Sequence, residues 1–429
     1  MIGIGGATFL IAGLVVLVAC GVQIAVALGI VGVLGVYLAS GDWHAAASML
    51  AAAAYDGLRQ PAFLVIPLLM LMGEFIARSG AITDVFRLLG RELRGVPGGA
   101  ALAAMIGQAL YAFATGASAS SAAGFTRVTY PALKRDHYDG ATALGVLASS
   151  AAFGALIPPS VLLAAWGLLA HQPLGALFLA AVVPAILMAI FFAAMTASAR
   201  PVAGAAAAAE QPLPPHAVES AMGIAVTLIV ILGGIGTRLL TPLEAASVGA
   251  VIGLLMALRA GMRLPAIVEA ILVVGRASAP ILLLIFAAQI FGQALAVTGL
   301  GAAIERAMAG FGLGLGLATM IAIWLILSIV LDQLSIMALT VAVFSPVAMR
   351  LGIDPLAFAV LGVITLEAAQ LIPPFGLLVF TVKAGTADDG AALPDIFRHV
   401  LPFVLIMLAV VLLLAAFPEI ALWLPRLAP

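Results

Sequence analysis

Long apolar stretches recur along the whole chain and are separated by short polar segments. A stretch of about 20 apolar residues is long enough to cross the hydrocarbon core of a bilayer as an α-helix. Ten such stretches, five in each half, lie near residues 4–21, 23–40, 60–79, 140–170, 174–198, 219–236, 242–260, 277–298, 355–382 and 400–424. The pattern therefore predicts an all-α polytopic membrane protein.

Two further apolar segments, near residues 98–134 and 312–350, differ from the crossings because polar residues interrupt them. The first contains the run Thr115–Ser121, which consists of small residues and hydroxyls. Irregular backbone at membrane depth is tolerated only where it is buried in protein or lines a cavity. Each segment is therefore predicted to be a re-entrant helical hairpin that enters and leaves on one side of the membrane.

The two halves share one internal repeat. Pro131 and Pro346 each stand 27 residues before a Pro-Pro pair, at Pro158-Pro159 and Pro373-Pro374. These matches have a common offset of 215 residues, which becomes 219 further upstream, where Pro61 matches Pro280. We predict a first repeat over residues 1–199 with a broken helix at 140–170, and a second over 219–429 with a broken helix at 355–382. The segment 200–218, rich in Pro and Ala, is predicted to be a solvated linker.

The odd number of crossings per repeat implies that the second repeat is inverted relative to the first. With this topology, 13 of the 18 Lys and Arg residues fall on one side of the membrane and five on the other. Positive residues favour the cytoplasm, so the linker is predicted to be cytoplasmic and both termini periplasmic. Inverted repeats with paired broken elements are typical of secondary transporters.

The composition excludes several classes of function. Hydrophobic residues make up 65% of the chain and charged residues 9%, whereas a soluble domain carries roughly 25% charged residues. The net charge of −1 gives no indication of a nucleic-acid partner. Cys20 is the only cysteine, so a disulfide within the chain and cysteine-based metal sites are excluded.

The Pro-Pro pairs are the first candidate for a functional site. Proline in a helix interior removes a hydrogen bond and clashes with the preceding turn, so two in succession should unwind the helix. The freed carbonyls can coordinate a cation, and the new helix N-terminus suits an anion. A simple structural kink is the alternative, and the presence of two pairs at matching positions favours a site.

The hairpin tips supply further oxygen atoms. In the first tip, Ser118, Ser120 and Ser121 follow Gly116; the offset of 215 places Asp332, Gln333 and Ser335 opposite Ala117, Ser118 and Ser120. A carboxylate within the membrane is costly without a cation or hydrogen-bond donors. The alternatives are that each serine bonds back to its own helix and that Asp332 caps a helix.

Glu74 and Glu367 are the other acidic residues within apolar stretches. Glu74 is four residues before Arg78, a spacing that predicts an ion pair on one helix. Glu367 precedes Pro373 by six residues. It is expected either to orient the second break or to cap polar backbone there.

Through these motifs the chain resembles the large membrane subunit of TRAP (tripartite ATP-independent periplasmic) transporters, within the ion-transporter superfamily of elevator-type carriers. The motifs that carry the resemblance are Pro67–Glu74, Ser79-Gly80, Tyr130-Pro131, Tyr138-Asp139, Gly154, Ile157–Ser160, Leu351–Pro355, Leu366-Glu367, Pro373-Pro374 and Gly376. The resemblance implies a sodium-driven symporter of small organic acids in the bacterial inner membrane, without an organic cofactor. It also implies a small four-helix membrane subunit and a periplasmic substrate-binding protein as partners, with lipid around the helices.

The resemblance also implies the sites. The first sodium ion would bind at Gly116, Ser118 and Ser120 with the break at Pro158 and Ser160. The second would bind at Asp332 and Ser335 with Thr365 and the break near Pro373. The substrate carboxylate is expected between the tips, near Ser118, Ser121, Ser160 and Gln333. The chain departs from the family at Ala151 and Ala152 and at Thr365, Ala369 and Ile372, so fewer side-chain donors are available there.

Three other functions share some of these sequence features. The first is a stand-alone sodium-carboxylate symporter of the same superfamily. The second is an intramembrane protease, for which a histidine deep in a helix or a second intramembrane aspartate is missing from the sequence. The third is a channel, which paired hairpins with inverted symmetry fit less well than alternating access.

Overall fold

The computed structural model describes residues 4–199, 213–299, 304, 306, 308, 310–386 and 390–428. Throughout this part of the chain the regular structure is helical, as the sequence predicts. Besides a 3₁₀ turn at Pro61–Leu64, the helices are α1 (Ile4–Ala19), α2 (Ile24–Ser40), α3 (Trp43–Arg59), α4 (Val65–Arg78), α5 (Ala81–Glu92), α6 (Gly99–Thr115), α7 (Ser118–Arg135), α8 (Gly140–Ala151), α9 (Phe153–Leu156), α10 (Val161–Leu169), α11 (Leu174–Ala197), α12 (Ala217–Gly236), α13 (Pro242–Arg259), α14 (Leu264–Thr298), α15 (Leu313–Leu327), α16 (Gln333–Arg350), α17 (Pro355–Ala369), α18 (Leu377–Ala384), α19 (Leu393–Ala416) and α20 (Glu419–Leu427).

Among the described residues, seven helices are long and apolar enough to cross a membrane. They are Pro61–Arg78, Leu174–Ala197, Ala217–Gly236, Pro242–Arg259, Leu264–Thr298, Gln333–Arg350 and Leu393–Ala416. The pair Gly140–Leu156 and Val161–Leu169, bent by 42°, adds an eighth if it is counted as one broken span. The prediction of a polytopic α-helical membrane protein is confirmed, whereas the inversion of the two halves stays a prediction.

Two predicted crossings have different bounds in the structure. The crossing predicted at 277–298 belongs to α14, a continuous helix of 35 residues that begins at Leu264; the apolar residues before 277 continue the helical pattern without a break. The crossing predicted at 400–424 is wrong in extent, because α19 ends at Ala416 and α20 follows. Pro418 lies in the gap, where proline cannot continue the preceding helix. Of the predicted linker, residues 200–212 lie outside the described residues, and α12 already begins at Ala217.

Each half contains a helical hairpin followed by a broken helix. The first hairpin consists of α6 and α7, which turn at Gly116 with φ of +63°, a backbone conformation that glycine adopts without strain. The second hairpin consists of α15 and α16. The first broken helix is interrupted between Leu156 and Val161, and the second between Ala369 and Leu377. Both Pro-Pro peptide bonds are cis.

An aromatic cluster joins the two halves in the core. Trp166 of α10, Trp324 of α15 and Phe358 of α17 have ring centroids 5.5–5.8 Å apart. All three side chains are fully buried. A Cβ atom built on Gly362 would lie 2.4 Å from the Trp166 ring, so α17 packs against this ring only because residue 362 is glycine. The helix after the first break is thus held by a hairpin and a broken helix from the second half.

An ion-pair network lies away from this core. The Arg78 Nε atom is 2.6 Å from the Glu74 Oε1 atom, which confirms the predicted pair. The Arg78 Nη1 atom is also 3.3 Å from the Glu269 Oε2 atom of α14. Arg78 therefore links α4 to α14, and Glu74 is occupied by a structural contact.

Candidate cation and substrate site

The tip of the first hairpin rests on the first broken helix. The Val161 N–H, at the start of α10, donates to the Gly116 carbonyl at 3.2 Å. A Cβ atom built on Gly154 would lie 2.9 Å from the Ser118 backbone nitrogen, so α9 and the tip are in backbone contact. The structure therefore brings together Gly116, Ser118 and the segment with Pro158, as the first predicted site requires.

The serines of this tip differ in their surroundings. Ser118 is buried, and its hydroxyl donates to the Glu367 Oε1 atom at 2.8 Å. Ser121 is also buried: its hydroxyl donates to the Ser118 carbonyl at 2.8 Å and accepts from the Gln108 Nε2 atom at 3.0 Å. Ser120 is exposed and donates to the Ala117 carbonyl. Only Ser118 reaches beyond its own hairpin.

The first break is buried and ordered by its own cap. Pro158, Pro159 and Ser160 are all buried. The Ser160 Oγ atom accepts from the Leu163 N–H at 3.3 Å and so caps the N-terminus of α10. This use of Ser160 leaves the positive end of α10 directed at the segment that precedes it.

The second predicted site is more open than the first. Asp332 is exposed and caps α16 by accepting from the Ser335 N–H and the Ser335 hydroxyl. Thr365 is buried and donates to the Leu361 carbonyl of its own helix at 2.9 Å. Pro373 is exposed. Asp332 therefore acts as a helix cap, and Thr365 bonds back to its own helix. Among the described residues, no hydrogen bond joins Asp332 to the second break.

The second hairpin nevertheless lies beside the second break. The last turn of α15 and the segment Ile372–Phe375 line a shared cavity of about 220 Å³. Ser328, the residue that directly follows α15, also lines this cavity, and its hydroxyl donates to the Leu325 carbonyl. The two predicted partners are therefore adjacent, with the contact made by α15 rather than by Asp332.

The two hairpin tips meet at the Glu367 carboxylate, which the sequence alone did not place in the site. Ser118 is the first residue of α7 and Gln333 the first residue of α16, and the two are separated by the repeat offset of 215. Ser118 donates to Glu367, and the Gln333 side chain approaches the same carboxylate. Glu367 is 1% exposed. An acidic residue inside an apolar stretch was the signal that could have placed it here.

The arrangement suits a hard cation. Its donors are hydroxyls, carbonyls and carboxylates, which favour hard ions over soft transition metals. The described residues contain no group of three His, Cys, Asp or Glu side chains that could hold a metal ion. The Glu367 Oε2 atom is buried without a hydrogen-bond partner of normal geometry in the described part of the chain. Buried oxygen atoms of this kind are available to an ion.

A membrane-embedded bundle in which two hairpins and two broken helices surround a polar centre defines a transport protein. The family comparison agrees. The model of the tripartite ATP-independent periplasmic transporter DctM component matches residues 11–420. The chain belongs to this family and is the large membrane subunit of a TRAP transporter. It is therefore a secondary transporter subunit and not an enzyme.

Individual relatives match over most of their length. The chain is 27% identical to the C4-dicarboxylate TRAP transporter large permease protein DctM of Pseudomonas aeruginosa, covering 93% of each chain. It is 25% identical to the sialic acid TRAP transporter large permease protein SiaM of Vibrio cholerae, covering 86% of this chain and 88% of the relative. The fold resembles the crystal structure of the Alcanivorax borkumensis YdaH transporter, with a TM-score of 0.60 and 17% identity over 86% and 87% of the two chains.

Proposed function

We propose that the protein imports small organic acids across the bacterial inner membrane by symport with sodium ions. The observation that carries the proposal is the convergence of both hairpin tips on a buried polar centre beside the first broken helix. Two relatives are named for C4-dicarboxylates and for sialic acid, both of which are organic acids. The proposed substrate class follows from these names and from the helix N-termini at the centre.

The proposed mechanism uses the hairpin tips as the moving parts of the site. Sodium binds at the first tip, at Gly116, Ser118 and Ser120 with the Pro158 break, and at the second tip with Asp332, Ser335, Thr365 and the Pro373 break. The ions order the tips, and the substrate carboxylate then docks near the N-termini of α7, α10 and α16. Positive helix ends favour an anion there. The loaded elements move across the bilayer in an elevator-type step and release the acid inside.

The Ser118 hydroxyl sets one requirement on this mechanism. Its single proton is donated to Glu367, so the same hydroxyl can contact a cation only through its oxygen lone pairs. A substrate carboxylate must therefore take its hydrogen bonds from Gln333, from backbone N–H groups, from the Ser160 hydroxyl, which only accepts in its helix cap, or from Ser121 after it gives up the Ser118 carbonyl. Ser118 is accordingly assigned mainly to the ion in this proposal.

We further propose that the protein works with a small four-helix membrane subunit and a periplasmic binding protein, that both termini are periplasmic, and that the first hairpin enters from the cytoplasm. The proposed partners are supported by membership of a family that is described as tripartite and periplasmic. The proposed positions of the termini and of the first hairpin are supported by the distribution of Lys and Arg along the sequence.

The test is uptake into proteoliposomes that contain the protein with its small subunit. A panel of labelled organic acids is offered with the cognate binding protein, with an inward sodium gradient or with choline in place of sodium. Uptake of at least one acid only with the gradient and the binding protein is expected. Equal uptake without sodium would refute the coupling, and equal uptake without the binding protein would favour a stand-alone symporter.

A further inference from the structure

Glu367 is a buried acid without a matching positive charge. Its side chain lies on α17, where the residue is 1% exposed, and the Oε2 atom makes no hydrogen bond of normal geometry to any described residue. The groups that face it are Ser118 of α7 and Gln333 of α16, both uncharged. In the described part of the chain, no Lys, Arg or His forms an ion pair with it. A buried charge is normally paired or coordinates a metal.

The carboxylate breaks the correspondence between the two halves. By the offset of 215, Ser118 corresponds to Gln333, whereas Glu367 corresponds to Ala152. Ala152 is fully buried between α8 and α9 and carries no polar group. One acidic residue from the second half, Glu367, therefore lies next to the first residue of α7 and the first residue of α16. The first half has no equivalent.

The first cation site has the complementary deficiency. The groups assigned to it in the proposed function are the Gly116 carbonyl, the Ser118 and Ser120 hydroxyls and the backbone at Pro158, all of which are neutral. A cation in a low-dielectric site with neutral ligands only is poorly compensated for its lost hydration. An anionic group that touches one of its ligands would offset that cost. Glu367 touches Ser118.

We propose that Glu367, reaching over from the second half of the chain, supplies the negative charge of the cation site at the tip of the first hairpin, with its Oε2 atom available to the ion. This inference rests on the proposed function, because it assumes that a coupling cation binds at Ser118. It makes the site composite: the first half gives neutral ligands and the second half gives the charge. Occupancy of the site then favours the arrangement in which α7, α16 and α17 are together.

The test measures sodium binding without transport. The full chain, purified in detergent with its small subunit, is titrated with sodium chloride at constant ionic strength, with choline as the replacing cation. Thermal stability gives the half-saturating sodium concentration. The intrinsic tryptophan fluorescence gives a second readout, to which Trp166, buried in α10 after the first break, contributes. The variants are Glu367→Gln, Glu367→Asp and, as a control, Glu74→Gln.

Glu367→Gln keeps the shape and an oxygen that can accept from Ser118, and removes only the charge. We expect it to raise the half-saturating sodium concentration by about 10–100-fold, the range found when a partner of a metal ligand is lost. Glu367→Asp keeps the charge on a shorter side chain and should lie between Glu367→Gln and the wild type. Glu74→Gln breaks the pair with Arg78, so it should lower the unfolding temperature and leave the sodium concentration unchanged.

Three results would overturn the inference. If the wild type is stabilised by sodium and Glu367→Gln responds at the same concentration, the charge assignment is wrong while the proposed sodium coupling stands. If Glu367→Gln keeps most of the response and Glu367→Asp loses it, the side chain acts through its shape rather than its charge. If the wild type itself shows no response to sodium over choline, the proposed coupling fails, and the inference fails with it.

Discussion

Replacing Gly73 by alanine should destabilise the protein through a clash between two helices. Gly73 lies in α4, and a Cβ atom there would be 1.7 Å from the Ala114 carbonyl oxygen, one residue before the last residue of α6. Cβ atoms essentially never lie closer than 3.0 Å to another heavy atom. The Ala114 carbonyl oxygen must therefore move at least 1.3 Å away from the new Cβ atom. The neighbouring atoms are backbone, so no side-chain rotation can relieve the overlap.

The expected magnitude follows from two opposing effects. Alanine in a helix interior is favoured over glycine by about 1 kcal/mol. Overpacking of a close contact costs about 1–3 kcal/mol and occasionally more, and an overlap with backbone is at the upper end of that range. The net effect of Gly73→Ala is therefore a loss of about 1–2 kcal/mol. The movement also displaces Gly116 and Ser118 at the hairpin tip, so a weaker sodium response should accompany the loss.

The assay compares Gly73→Ala with Gly90→Ala in thermal unfolding of the purified protein. Gly90 is also inside a helix, α5, but a Cβ atom there meets nothing within 4 Å. Gly90→Ala should leave the unfolding temperature unchanged or raise it, and Gly73→Ala should lower it. An unfolding temperature for Gly73→Ala equal to or above that of Gly90→Ala would refute the close approach of α4 to the first hairpin.

Three further predictions concern single side chains. Ser118→Ala should raise the sodium concentration for half-maximal uptake by about tenfold or more, since hydrogen bonds to charged groups contribute about 1.5–3 kcal/mol. Ser120→Ala, which removes an exposed hydroxyl, should raise this concentration less. A larger effect of Ser120→Ala would contradict the assignment of Ser118 to the cation site. Asp332→Ala should abolish sodium-dependent uptake and lower the free energy of unfolding by about 1 kcal/mol through loss of the helix cap. Asp332→Asn keeps a capping side chain, so normal uptake by this variant would show that Asp332 acts only as a cap. Burial raises the pKa of Asp136, in the loop after α7, above its ordinary value despite the opposing charges of Arg135 and Arg94, so the folded protein loses stability as pH rises through that pKa and Asp136 ionises. Asp136→Asn should therefore raise the unfolding temperature at about pH 7.5 and not at about pH 4. An equal effect at both pH values would exclude ionisation as the cause.

The local features of the fold were predictable because their signals are local. An apolar stretch interrupted by polar residues, at the position that matches the first hairpin, placed the second hairpin at 312–350, and its helices occupy Leu313–Leu327 and Gln333–Arg350. The break at Pro158-Pro159 was found in the same way, because two prolines interrupt a helix whatever surrounds them. The ion pair of Glu74 with Arg78 needed only helical spacing.

The centre of the site was not predictable in the same way. Ser118 and Glu367 are 249 residues apart, and no periodicity or spacing records that they touch. The sequence therefore left two uses open for Glu367 and assigned Ser118 to an ion or a substrate without its main partner. Gln108, which holds Ser121 from inside the first hairpin, was missed because a single amide in an apolar helix carries no spacing signal.

The aromatic cluster also orders events during biosynthesis. Trp166 is buried against Trp324, which the ribosome adds 158 residues later, and at about 5–20 residues per second this is a delay of roughly 8–30 s. Throughout that interval the indole must be sheltered by lipid, the insertion machinery or a provisional neighbour. A truncated chain that ends before Trp324 should therefore be retained by the insertion machinery and degraded early, whereas a chain that extends past Phe358 should be released.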